Sequence, residues 1–162
     1  MSNARGISAL YPGTFDPPHH GHVDVIRRAA AQVEQLTVAI AVNPEKKPYL
    51  SEKTRVAVLQ ELCRDLANVR IATYSEATVT FAKSQGCTVL VRGLRNAADL
   101  DAESGMAQIN RSHGLESFFL IADVRHQHLS SRLVKQVIAA GLPLDDLVAP
   151  AVARALRSSI SG

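Results

Sequence analysis

The chain has 162 residues, of which 46% are hydrophobic, so it is long and apolar enough to fold as a globular domain rather than remain disordered. Its formal net charge of +3 suits small anionic substrates but, with only 4% aromatic residues, argues against a nucleic-acid platform. No apolar stretch approaches a membrane span, and the N-terminus lacks the apolar segment of a signal peptide. We therefore expect one cytoplasmic domain over residues 1–162, without nucleic-acid or membrane partners and with residues 1–6 flexible or left over from cloning.

The predicted elements begin with a strand over residues 7–11, which Pro12 and Gly13 should stop, and a helix that starts near Gly21 or His22. Further strands are predicted over residues 36–42, 69–73, 88–91 and 117–121. Further helices are predicted from the N-caps Ser51 and Ser130 and over residues 78–85, 97–111 and 144–158. Short apolar strands that alternate with helices predict an α/β fold, namely a doubly wound five-stranded parallel sheet with helices on both faces.

Two cysteines, Cys63 and Cys87, lie in apolar segments and have no Cys-x-x-Cys partner. This pattern indicates buried free thiols in a reducing compartment rather than a disulfide or a zinc site.

The turn after the first strand carries His19, His20 and His22, and Gly21 between them leaves room for close approach of the backbone. A strand, a loop and a helix N-terminus form an anion site, because free backbone N–H groups and the helix dipole point at the same place. The alternative is a surface loop with three solvated histidines. The flanking strand and helix favour the anion site, because a motif counts only in its predicted structural context.

Cationic and hydroxyl side chains follow three other strands at the predicted carboxyl edge of the sheet, where ligands bind in such folds. Arg92 and Arg95 follow a central strand, and arginine makes permanently charged, bidentate contacts to phosphate; surface salt bridges are the alternative. Lys46 and Lys47 follow the second strand and by themselves would be solvated charge. The serines at 130 and 131 open a helix, where simple N-capping is the alternative.

Two common nucleotide-binding motifs are absent from the chain. It contains no Gly-x-Gly-x-x-Gly and no Gly-x-x-x-x-Gly-Lys-Ser/Thr, which argues against a dinucleotide oxidoreductase and a P-loop NTPase.

Four segments, in this order, resemble the bacterial phosphopantetheine adenylyltransferase family of the His-x-Gly-His nucleotidylyltransferase superfamily, over about residues 7–150. They are the Tyr-Pro-Gly-Thr-Phe-Asp-Pro start with its His-x-Gly-His, the Lys-Lys-Pro loop, Arg-Gly-Leu-Arg and the serine helix with Leu-Val-Lys. The resemblance implies a Rossmann-like fold and adenylyl transfer from ATP to 4'-phosphopantetheine, which yields dephospho-coenzyme A and pyrophosphate. It also implies Mg²⁺ and a homohexamer.

The resemblance further implies roles for individual residues. Catalytic roles fall to His22, Lys46 and Arg95. The acceptor would be bound by Thr14, Lys46, Thr78, Arg92 and Asn110. ATP would be bound by Thr14, Phe15, His19, His22, Gly93, Leu94, Arg95, Glu103, His126, Ser130, Ser131 and Arg132. It implies no metal-ligating side chains, because Mg²⁺ would be held mainly by triphosphate oxygens and waters.

The chain departs from the family pattern at two places. Histidines stand at 126 and 128 where the family has an aromatic residue and phenylalanine, and Arg132 replaces a third hydroxyl. In the segment 99–105, Ala102 replaces a tyrosine and Gly105 a glutamine. Arg132 either reaches into water away from the helix dipole or grips the β- and γ-phosphates.

Two other functions remain open at this stage. One is a diverged nucleotidylyltransferase, perhaps CTP-using, that acts on another phosphorylated or phosphonylated acceptor. The other is a metal-binding protein that uses the histidines at 19, 20, 22, 126 and 128, although no Cys or acidic partner stands at helical ligand spacing.

Overall fold

The computed structural model describes residues 6–160, so all of the predicted segment 1–6 except Gly6 lies outside the described residues. The strands are β1 Ser8–Gly13, β2 Gln35–Ala41, β3 Val69–Tyr74, β4 Val89–Leu94 and β5 Glu116–Ile121. The helices are α1 His20–Ala30, α2 Glu52–Leu62, α3 Thr78–Ser84, α4 Ala97–Ser112, α5 Ser131–Ala139 and α6 Pro150–Ile160, with a 3₁₀ turn at Val124–His126.

The five strands form one parallel sheet in the order β3-β2-β1-β4-β5. Helices pack on both faces: α1 and α2 contribute to one buried cluster with the sheet, and α3 to the other. A third cluster joins α2, α5 and α6. The predicted doubly wound α/β fold is confirmed, and its switch point, where ligands bind in such sheets, lies between β1 and β4.

The first strand ends two residues later than its composition suggests, so the prediction that Pro12 and Gly13 stop it is wrong. Both residues pair with β2, opposite Ala39 and Ile40. On its other side β1 pairs with β4 only at Ala9 and Leu10, so the missing N–H of Pro12 falls beyond that ladder. The strand therefore tolerates proline because its ladder is one-sided at this point.

The fourth strand likewise runs past its predicted end at Val91. Arg92, Gly93 and Leu94 remain in β4 and pair with Phe119, Leu120 and Ile121 of β5. Three of the residues predicted to bind substrates, Arg92, Gly93 and Leu94, are therefore held on a strand rather than on a loop, which fixes their backbone positions.

The predicted tail helix over residues 144–158 begins only at Pro150; residues 144–149 form a turn. Leu144 and Val148 are buried in the α2–α5–α6 cluster. The carbonyl of Leu147 accepts a hydrogen bond from the backbone N–H of His20, at 3.0 Å. The apolar spacing here serves a packed turn, and Pro150 suits the first turn of a helix because its missing N–H would have no partner there.

Local predictions at the other helix starts and at the cysteines are confirmed. Ser51 accepts a hydrogen bond from the N–H of Thr54, and Ser130 from that of Leu133, as N-caps do. Helix α1 begins at His20, one residue before the predicted start. Both cysteines are buried and free.

Candidate active site

Three clefts open at the carboxyl edge of the sheet. The first, here the histidine cleft, is lined by His19, His22, Gly93, Arg95, His126, Ser130 and Ser131, among others. The second, the lysine cleft, is lined by Thr14, Lys46, Lys47, Arg55, Ser131 and Lys135, among others. The third, the arginine cleft, is lined by Thr14, Thr78, Arg92, Glu103 and Asn110, among others. Ser131 is common to the first two clefts and Thr14 to the last two, so the three are neighbours.

His22 is a neutral hydrogen-bond donor in the histidine cleft. Its Nδ1 accepts a hydrogen bond from the backbone N–H of His19, at 3.2 Å, so the ring proton is on Nε2. Burial, His19 and Arg95 hold the pKa of His22 well below its usual value. The side chain therefore presents an N–H donor that stays uncharged at neutral pH.

His19, the N-cap of α1, lies against His22 with ring centroids 3.8 Å apart. It is 8% exposed, and burial, with smaller contributions from Arg95, His126 and His20, lowers its pKa to about 4. A Cβ at residue 21 would lie 3.0 Å from this ring, so glycine there leaves room for the histidine pair. The Nδ1 atoms of His19 and His126 are buried without a hydrogen-bond partner.

Folding stability is expected to fall in mild acid because of His19. Its pKa is about 4 in the folded chain and 6.5 unfolded, so between these values the unfolded chain binds a proton that the folded chain does not. Stability is then lost as pH falls from about 6.5 to 4. His19→Asn should reduce the acid-dependent loss of unfolding free energy by about 3 kcal/mol, as urea unfolding at pH 7 and pH 4 would measure.

His128→Asn is the control for this comparison, because His128 is exposed. An unchanged pH dependence in His19→Asn would show that the histidine is not held neutral.

Each arginine of the Arg-Gly-Leu-Arg segment lines a different cleft and is paired with a carboxylate of α4. Arg92, in the arginine cleft, donates through Nε to Glu103 at 2.8 Å and also through Nη2. Arg95, in the histidine cleft, donates through Nε and Nη2 to Asp99 at 3.0 and 3.1 Å. Glu103, predicted to bind ATP, therefore lies with the predicted acceptor residues and not in the histidine cleft.

The predicted convergence of Lys46 and Arg92 on one phosphate is not reproduced as a single cleft. Lys46 lines the lysine cleft and Arg92 the arginine cleft, and Thr14 lines both. Thr78 and Asn110, the other predicted acceptor residues, lie with Arg92.

The serines of α5 use their hydroxyl groups within the protein. Ser130 Oγ caps the helix, and Ser131 Oγ donates to the carbonyl of Pro17 at 2.8 Å. Both serines stand at the N-terminus of α5, where the first backbone N–H groups have no partner within the helix. These N–H groups can bind an anionic ligand in the histidine cleft.

Two predicted ATP residues, Phe15 and Leu94, are buried and line none of the three clefts. Phe15 is 1% exposed and packs edge-on against Tyr11 and His22, with centroids at 5.4 and 5.0 Å. Its φ of 47° is unusual for a bulky residue and persists because the surrounding packing holds it. Leu94 is also buried, at 7% exposure.

Arg132 is exposed and lines none of the three clefts. We expect Arg132→Ser to leave ATP affinity within about twofold and to raise the unfolding free energy by a few tenths of a kcal/mol to about 1 kcal/mol, since a cation in the first turn of α5 opposes the helix dipole. Calorimetric titration with ATP and urea unfolding measure the two quantities. A tenfold loss of ATP affinity would instead assign Arg132 to the phosphates.

Sequence reasoning missed two residues that shape the lysine cleft. Arg55 is 4% exposed and donates to the carbonyl of Thr14 at 2.8 Å. Asp16 accepts hydrogen bonds from the backbone N–H groups of Tyr49 and Leu50, at 2.7 and 2.8 Å. These bonds tie the chain just after the Lys-Lys-Pro segment to the end of β1. Arg55 had a signal: it stands four residues before Leu59, on the apolar face of α2. Asp16 had none.

Comparison with known proteins identifies the family and agrees with the fold. Residues 10–137 match the cytidylyltransferase-like family. Phosphopantetheine adenylyltransferases from Gloeobacter violaceus and Synechococcus sp. are 40% and 42% identical, and the alignments cover 95% and 92% of this chain and 97% and 95% of those proteins. The Plasmodium falciparum nicotinic acid mononucleotide adenylyltransferase, solved with NaAD, superposes with a TM-score of 0.66 over 93% of this chain and 94% of its own, at 13% identity, a likeness of fold alone.

The fold and the match over residues 10–137 define a nucleotidyltransferase of the cytidylyltransferase-like class. The chain belongs to the phosphopantetheine adenylyltransferase family, with alignments that span nearly the full length of its relatives.

Proposed function

We propose that this enzyme transfers the adenylyl group of ATP to 4'-phosphopantetheine and releases dephospho-coenzyme A and pyrophosphate. The observation that carries the proposal is the neutral Nε2–H of His22, in one cleft with Arg95 and the N-terminus of α5. That cleft adjoins the lysine cleft through Ser131, and the lysine cleft adjoins the arginine cleft through Thr14. The names of the relatives support the same reaction.

The chemistry asks for cations and hydrogen-bond donors rather than for a general base. The acceptor is a phosphate monoester, which is already anionic at neutral pH and can attack the α-phosphorus directly. The enzyme must place the two phosphates in line and neutralise the charge that develops. His22 Nε2–H is proposed to stabilise the α-phosphate, Arg95 and the start of α5 the β- and γ-phosphates, and Arg92 the acceptor phosphate.

The remaining predicted residues are assigned to other parts of the two substrates. The adenosine part of ATP is assigned to the histidine cleft, with His126 and Gly93 in its wall. Lys46 lines the cleft between the two substrates and is assigned to the phosphates that react. Thr78 and Asn110 are assigned to the pantetheine arm of the acceptor.

Magnesium is proposed to accompany ATP. Among residues 6–160 no group of three His, Cys, Asp or Glu side chains could hold a metal ion. Mg²⁺ keeps several waters and commonly binds phosphate oxygens, so the triphosphate itself can carry it to the site. When bound, it supplies charge neutralisation to the phosphates.

Pyrophosphate release on incubation with ATP, 4'-phosphopantetheine and Mg²⁺ tests the proposed reaction. Mass spectrometry should identify dephospho-coenzyme A, and omission of the acceptor should abolish pyrophosphate release. Product formation with CTP but not ATP, or with another phosphorylated acceptor alone, would replace the proposal with a diverged specificity.

We also propose that the enzyme is a homo-oligomer, a hexamer by family resemblance. In the part of the chain that the structure describes, six of the nine exposed large hydrophobic residues lie in α4, in β5 or just after it: Leu100, Met106, Ile109, Phe118, Ile121 and Val124. β5 is an edge strand, and unpaired edges with apolar side chains are sites of association. Multi-angle light scattering measures the mass; a monomer would contradict the proposal.

No helix within residues 6–160 combines the length and the apolar character that a membrane crossing requires. We propose a cytoplasmic location.

A further inference from the structure

The two cleft arginines are held in the same way by one helix. Glu103 accepts from Nε and Nη2 of Arg92, and Asp99 accepts from Nε and Nη2 of Arg95. In both cases Nη1 donates to a backbone carbonyl, that of Pro12 at 3.3 Å and that of Leu129 at 3.5 Å. Asp99 and Glu103 are four residues apart on α4, so they project from the same face of the helix.

This arrangement leaves each arginine with a defined pair of donors. A guanidinium carries five N–H groups. The carboxylate takes two and the carbonyl takes one, so two remain, one on Nη1 and one on Nη2. Two donors on adjacent nitrogens match two oxygens of a phosphate in a bidentate contact.

We propose, on the basis of the proposed function, that Asp99 and Glu103 are positioning residues. Asp99 sets the affinity for ATP by holding Arg95, and Glu103 sets the affinity for the acceptor phosphate by holding Arg92. Neither carboxylate needs to touch a substrate. This assigns Glu103 to acceptor binding, in place of the nucleotide contact implied by family resemblance. It also gives a role to Asp99, to which the family resemblance assigned none.

The carboxylate would raise the affinity for phosphate because it orders the flexible arginine side chain before the ligand binds. Without its carboxylate, the arginine explores many rotamers, and the phosphate must order it on binding. The carboxylate also lowers the local positive charge, which by itself would weaken phosphate binding. Both ion pairs are partly exposed, with the side chains of Asp99 and Glu103 at 23% and 26%, so solvent screens this charge while the geometric restraint stays.

The test uses the amide variants Asp99→Asn and Glu103→Gln, which keep the size of the side chain and remove its charge. Calorimetry measures the Kd for ATP in the absence of acceptor and for 4'-phosphopantetheine in the absence of ATP. Asp99→Asn should weaken ATP binding about tenfold and leave phosphopantetheine within twofold, and Glu103→Gln should do the reverse. Glu103→Asp, which keeps the charge on a shorter stem, should fall between Glu103→Gln and wild type.

Asp101→Asn is the matched control, an exposed acid between the two on α4 that forms no ion pair among the described residues. It should change neither affinity, and thermal unfolding midpoints confirm that all variants fold. Equal effects on both ligands, no effect, or tighter binding would overturn the proposal; tighter binding would mean that the carboxylates compete with phosphate.

The binding measurements separate this inference from the reaction itself. If wild type binds ATP but forms no dephospho-coenzyme A, the proposed function fails, and ATP still tests Asp99. Inorganic phosphate then replaces phosphopantetheine as the probe at Arg92. A split between the two variants would uphold the inference, and its absence would reject it.

Discussion

His22→Ala is expected to lower kcat by about 10²–10³-fold while changing the Kd for ATP by less than about fivefold. The backbone N–H of His19 donates to Nδ1 of His22 and so orients the neutral imidazole. The other ring nitrogen, Nε2, then carries the proton and can donate to a ligand. The proposed contact of His22 with the α-phosphate should strengthen as charge develops there, so its loss should affect the transition state more than the bound substrate. Single-turnover rates and calorimetry with ATP would measure the two quantities.

His128→Ala is the matched control, since His128 is exposed and lines none of the three clefts. It should retain the wild-type rate. If His22→Ala also keeps kcat within a few-fold of wild type, His22 is not the group that stabilises the transition state.

Arg92→Ala is expected to raise KM for 4'-phosphopantetheine about 10- to 100-fold, the range for losing hydrogen bonds to a charged group. The Kd for ATP should change far less, because Arg92 lines the arginine cleft and Arg95 the histidine cleft. Initial rates with varied acceptor at saturating ATP, together with ATP titration, would show the difference.

Arg125→Ala controls for the loss of any arginine, because Arg125 is exposed and paired with Asp123 outside the clefts. An equal effect of Arg92→Ala on ATP and acceptor would show that the assignment of the two substrates to separate clefts is incorrect.

Much of the fold was predictable because short stretches of sequence indicate their own secondary structure. Apolar runs of strand length alternate with helical spacing, and this alternation demands parallel strands joined by crossover helices. Caps were equally local, since Ser51 and Ser130 bond to their own helices. Predictions of element boundaries were wrong where contacts with residues distant in sequence overrode the local preference. Pro12 is a local stop signal, yet the pairing of β1 with β2 continues through it. Residues 144–149 have helical spacing, yet they pack as a turn against α1 and α5.

The sequence alone determined the class of chemistry in this protein: histidines, arginines, lysines and a helix N-terminus, each placed just after a strand. Tertiary structure decided how these groups are divided. It placed Lys46 and Arg92 in adjoining clefts, placed Glu103 in the arginine cleft and left Arg132 exposed to solvent. It also decided that His22 is neutral with its proton on Nε2, because the burial and the hydrogen bond responsible depend on packing around α1. Residue types follow from sequence, whereas distances, burial and protonation depend on which segments meet in space.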